Sequence, residues 1–72
     1  MNKLDLHGVR HSDVVHEVDK FIYQNLDKLP VEVVTGYSER MKQLVIESVE
    51  DHGLEYQVGD SLGINQGYIK IF

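Results

Sequence analysis

Apolar and polar residues alternate at the start of the chain, with Leu4 and Leu6 on one side and Lys3, Asp5 and His7 on the other. That period of two predicts a half-buried strand, which Gly8 breaks. The period then lengthens. Val14, Val15, Val18, Phe21, Ile22 and Leu26 fall at offsets 0, 1, 4, 7, 8 and 12, one stripe of an α-helix over residues 13–26. Ser12 is placed to cap that helix, Asp13 and Glu17 bring negative charge to its first turns, and Pro30 excludes its continuation.

Three valines and a threonine within residues 31–35 favour a short strand ending at Gly36. Met41, Leu44, Val45, Ser48 and Val49 then repeat at three and four, a second helix with Ser38 as cap, Glu39 in its first turn and Gly53 as its left-handed stop. Leu54, Tyr56 and Val58 alternate with Glu55 and Gln57, and residues 68–72 alternate around Ile69 and Ile71. These are two final strands, with residues 59–67 as the loop between them.

The order is strand, helix, strand, helix, strand, strand, an α/β pattern filling a single domain over residues 1–72. Two right-handed crossovers wound in one direction place both helices on the same face, giving a two-layer sandwich with a four-stranded mixed sheet. Asp5, His7, Glu55, Gln57, Tyr68, Lys70 and Phe72 fall on the face left uncovered. With the first three strands parallel, the turns that follow them emerge at one end of the sheet, where open α/β sheets bind ligands.

Composition narrows the picture. The chain has no cysteine, so neither a disulfide nor a thiolate-bound metal supports the fold, and hydrophobic packing carries it. No signal-like or membrane-spanning apolar run is present, which points to a soluble, cytoplasmic protein. Twelve acidic against seven basic side chains give a net charge of −5, so nucleic-acid binding needs a local patch, for which Lys3, Arg10, Arg40, Lys42 and Lys70 are the cations.

Asp5 and His7, two apart on a strand, share a face, and a carboxylate there is able to orient an imidazole for proton transfer in RNA cleavage. Arg10, Arg40 or Lys42 supplies a cation for the developing phosphate charge. The same spacing is more often a surface or structural hydrogen-bonded pair, and by itself it predicts no enzyme. His7, His11 and His16 do not make a metal motif, because strand, turn and helix hold one each without the i, i+4 spacing of ligands. No cofactor is called for. The tyrosines Tyr23, Tyr37, Tyr56 and Tyr68 serve either packing or base stacking.

Leu4-Asp5-Leu6-His7-Gly8, Thr35-Gly36 after the second strand, and Asn65-Gln66-Gly67 stepping into the last strand together resemble the small MutS-related (Smr) domain along nearly the whole chain. The resemblance implies a two-layer βαβαββ fold similar to the C-terminal domain of bacterial translation initiation factor 3. It also implies nucleic-acid binding and endonuclease activity on RNA or DNA, with Asp5 and His7 at the positions implicated in cleavage. Gly8, Arg10, Thr35, Gly36, Ser38, Arg40, Lys42, Asn65 and Gly67 are the candidate nucleic-acid contacts. Tyr37-Ser38 stands where the family carries a second glycine. The alternative is a non-catalytic adaptor or homodimerising module that docks a protein partner through the uncovered face, with Tyr68 and Phe72 as contacts.

Overall fold

The computed structural model describes all residues 1–72 and contains, in order, β1 (Lys3–Asp5), α1 (His11–Gln24), β2 (Val31–Val34), α2 (Glu39–Asp51), β3 (Tyr56–Val58) and β4 (Tyr68–Ile71). The sheet order is β1-β2-β4-β3. β1 and β2 pair in parallel, whereas β4 lies antiparallel to both β2 and β3. The first three strands therefore all point the same way, and the last strand fills the gap between the second and third.

One face of this mixed sheet builds the core. Val31 and Val33 of β2 and Ile69 and Ile71 of β4 are fully buried and register opposite one another. They join Leu6, the α1 residues Val14, Val18 and Ile22, and the α2 residues Met41, Leu44, Val45 and Val49 in a single cluster. At roughly 1.5 to 3 kcal/mol for each large side chain taken from water, this cluster is the main source of stability in a chain this short. Cross-strand register puts Lys3, Asp5, Glu32, Val34, Gln57, Tyr68 and Lys70 on the other face. Glu32 and Val34 belong there because β2, although rich in β-branched residues, is buried on one side only.

The first helix differs from its expected bounds at both ends. It begins at His11 with Arg10 at the cap position, so Ser12 lies inside the helix and makes no capping bond. The reason is upstream: the Val9 amide donates to the Leu6 carbonyl in a tight turn with Gly8 at φ 79°, which delivers the chain to helical geometry earlier than the apolar stripe requires. At the other end buried Asn25 closes the helix. Its Nδ2 donates to the Phe21 carbonyl at 2.8 Å, its amide donates to Ile22, and its Oδ1 accepts from Asn2. Leu26 consequently falls outside the helix and stands exposed, as does Val15 at the margin of the stripe. The connection to β2 passes through a cis Leu29–Pro30 bond.

The second helix follows its sequence signals closely. Ser38 Oγ accepts from the Met41 amide at 3.2 Å. At the C-terminus, Gly53 at φ 70° donates to Glu50 and Leu54 donates to Val49, the paired bonds of a Schellman stop. That stop consumes Leu54, which is why β3 starts at Tyr56, two residues later than the alternation suggests.

One buried polar atom has no partner: the Ser48 hydroxyl on the core face of α2. Its burial without a hydrogen bond opposes folding. Ser48→Ala is therefore expected to stabilise the domain by about 1 kcal/mol, seen as a rise of about 4–8 °C in Tm by thermal denaturation.

Candidate functional site

The end of the sheet reached by β1, β2 and β3 is also where β4 begins, so turns from four strands meet there. Their junction is the Gly67 carbonyl. It accepts from the Thr35 and Gly36 amides, both at 2.9 Å, with Thr35 Oγ1 at 3.4 Å. Thr35 is buried, and its hydroxyl donates to the Gly36 carbonyl at 2.9 Å. Gly36 takes a positive φ of 64° and stays exposed.

Asn65 shapes the other side of the junction. Its Oδ1 accepts from the Gly67 amide at 2.9 Å. A Cβ added at Gly67 would lie 3.2 Å from that oxygen and 3.6 Å from Gly36 Cα, so the tight approach of the two turns depends on glycine. Thr35-Gly36 and Asn65-Gln66-Gly67, thirty residues apart in sequence, are thus one structural unit.

The neighbouring turn carries the histidine. β1 ends at Asp5, although the Leu6 amide still reaches the Val34 carbonyl at 3.0 Å, and His7 lies in the turn beyond the strand. Asp5 does not hold the imidazole. Its Oδ1 accepts from the His7 backbone amide at 2.8 Å, so the carboxylate fixes the turn that carries His7 and leaves the ring exposed and free to meet a ligand. The expected strand-face pairing fails because the chain turns at Leu6, one residue before the histidine. His11 opens α1 and His16 lies within it, and no three His, Asp or Glu residues gather in metal-binding geometry.

The cations divide into free and engaged. Arg10 and Arg40 are exposed, Arg40 reaching Gln43 Oε1 at 3.5 Å. Lys42 is buried on α2, with its ammonium 3.8 Å from Glu39 and 5.4 Å from the centre of the Tyr37 ring. Lys70 lies over the Phe72 ring at 5.4 Å. Ser38 is committed to capping, and Gly8 is exposed in its turn. Of the candidate contacts, Gly8, Arg10, Gly36, Arg40 and Asn65 are accessible, whereas Thr35, Ser38, Lys42 and Gly67 act within the fold.

Asp60 organises the loop from Gly59 to Gly67, a role the sequence reading missed. Its carboxylate accepts from the Ile64 amide at 2.9 Å and the Asn65 amide at 3.0 Å, while its own amide donates to the Asn65 carbonyl. An Asp followed by a glycine-containing turn is the available signal for such a carboxylate-to-amide brace. These donors hold the carboxyl below its usual 3.8: the Ile64 amide most strongly, against partial desolvation, with the Asn65, Gly63 and Leu62 amides adding to it. Comparison with family models, with curated proteins and with solved structures finds no match to this chain.

Two predictions follow from the loop. Because the folded carboxyl titrates lower than the unfolded one, its contribution is complete above pH 3.8 and is lost as pH falls through the folded value. The protection factors of the Ile64 and Asn65 amides, measured against their intrinsic exchange rates, should therefore fall in that acid range in the native chain, whereas Asp60→Ala should show low protection at neutral pH already. Gly59 sits at φ 66°, and a Cβ placed there would collide with the Asn65 carbonyl oxygen. Gly59→Ala is expected to cost about 2 kcal/mol or more, lowering Tm by about 8 °C or more.

Proposed function

We propose that this chain is an Smr-like domain that binds nucleic acid at the end of the sheet where its turns converge and cleaves the strand slowly there. One observation carries the reading: the three sequence segments of the resemblance, from distant parts of the chain, lie on adjacent strand ends, two of them joined by the Gly67 carbonyl. Exposed Gly36 and Gly8 permit close backbone approach, and Arg10 and Arg40 are free for phosphates. A net charge of −5 makes that contact depend on these local cations and hence on salt.

The imidazole of His7 is the proton-transfer group. On RNA it takes the proton of a 2′-hydroxyl, whose oxygen attacks the adjacent phosphorus. The bond from phosphorus to the 5′-oxygen breaks, and the imidazolium returns its proton to that oxygen, leaving a 2′,3′-cyclic phosphate and a 5′-hydroxyl. Asp5 is a positioning residue, acting through the His7 amide. On DNA, which lacks the internal hydroxyl, the nucleophile is water.

A second reading is favoured by Leu62 and Ile64, which stand 80% and 78% exposed on the loop. In that reading the domain is an adaptor and these two residues meet a protein partner or a second copy.

His7→Ala tests the first reading directly. Cleavage of labelled RNA or DNA should fall by about 10²- to 10⁴-fold with an unchanged melting curve, since the side chain is exposed. Undiminished cleavage by the variant removes His7 from the chemistry. Absence of binding to either nucleic acid at low salt favours the adaptor, which sedimentation then examines for self-association.

A further inference from the structure

A depression of about 460 Å³ lies on the open face of the sheet, within the usual range of small-ligand clefts, roughly 300–1,000 Å³. Lys3 and Glu32, cross-strand partners, form one end, and Val34 and Tyr68, also partners, line the middle. Gly36, Tyr37 and Asn65 form the other, four strand positions or about 13 Å from Glu32.

The chemistry of the lining is specific. Tyr68 and Val34, half-buried cross-strand partners, line its middle with apolar side-chain surface. Tyr37 is 71% exposed yet held in place, because the buried Lys42 ammonium lies against its ring. Tyr37 also lines the groove beside α2, so its ring stands as a wall between the two depressions. Glu32 has only 20% of its side chain exposed, and its nearest cation, Lys3, is 3.8 Å away, with no hydrogen bond to either carboxylate oxygen. A carboxylate so placed is an acceptor waiting for N–H donors. Asn65 spends its Oδ1 on Gly67, leaving its Nδ2 free to donate.

Among the lining residues the charges of Lys3 and Glu32 cancel, and the ammonium of Lys70, the β4 partner of Glu32, lies over the Phe72 ring outside the depression, so this part of the cleft suits a neutral planar group rather than a phosphate. Lys3 beside Glu32 presents one donor next to two acceptors. Guanine alone among the bases carries the complement on its pairing edge: the O6 acceptor next to the N1–H and N2–H donors. Adenine and cytosine offer a single amine beside a ring acceptor, and uracil a single N–H between two acceptors. Adenine and cytosine leave one Glu32 oxygen without a donor, and uracil turns its second carbonyl toward it.

We propose that this depression selects an unpaired guanine, with Lys3 and Glu32 reading its pairing edge, Tyr68 supplying the stacking surface and Tyr37 walling the end where the sugar leaves. The sugar and phosphate then leave at the Gly36 end, toward His7. The inference rests on the nucleic-acid reading above and gives that site its substrate class: a single strand engaged at guanine.

The test is a set of titrations of the whole protein with the RNA pentamers UUGUU, UUIUU (inosine) and UUAUU, and with guanosine and adenosine 5′-monophosphates. The guanine pentamer should bind about 10- to 100-fold more tightly than the adenine one. Inosine, which lacks the N2 amine, should lose most of that preference without any change to the protein, and so should Glu32→Gln with an unchanged melting curve. Equal affinity for the guanine and adenine pentamers overturns the guanine site while leaving strand binding intact. A preference that survives Glu32→Gln also overturns it. Guanosine monophosphate bound in preference to adenosine monophosphate, with no pentamer bound, upholds the guanine site and overturns the strand reading, and no binding of any probe overturns both.

Discussion

The Gly67 carbonyl is the point on which the rest of this structure depends. It receives two backbone amides from the β2–α2 turn at the position where β4 enters the sheet. That contact sets the register in which Ile69 and Ile71 meet Val33 and Val31, and a one-residue slip would turn those isoleucines out of the core. The same contact fixes the geometry of the exposed turns. Core packing and the candidate site are therefore not separable: the residue that closes the sheet also shapes the surface.

Seen this way, the polar residues at the junction divide by what they satisfy. Thr35, Ser38, Asn65 and Asp60 each bond a backbone group that the turns would otherwise leave unpaired. Their cost is that most of their hydrogen-bonding capacity is spent inside the protein. The groups left for an outside molecule are the His7 ring, the free arginines, the Asn65 amide nitrogen and the Glu32 carboxylate. A small domain concentrates function in the groups its own backbone does not claim.

Much of the fold was legible because its signals are local. The helix stripes of Val14, Val18 and Ile22 and of Met41, Leu44, Val45 and Val49 gave element type and core face together, and Ser38 and Gly53 mark the ends of α2 through bonds made within a few residues. Several of the departures were non-local. Asn25 ends α1 in concert with Asn2, a partner 23 residues away. Glu32 was not separated from its valine neighbours because only the pairing of β2 with β1 and β4 shows which side of it faces water. Strand order was equally hidden, since alternation says nothing about neighbours. In the candidate site, the proximity of His7 and Asp5 was visible, but the atom that Asp5 binds was not, because it depends on a turn one residue earlier.

The interior position of β4 has a consequence for how the molecule comes to be folded. Residues 1–58 contain β1, β2 and β3, yet only the first two of these touch as strands; β3 pairs with β4 alone. A growing polypeptide thus holds an unfinished sheet with an open seam beside β2 until its final strand arrives to fill it. Contacts across that seam span more than thirty residues, and long-range closure of this kind slows folding. Until β4 pairs, the amides and carbonyls along that side of β2 stay open, the kind of edge on which strands of separate molecules pair.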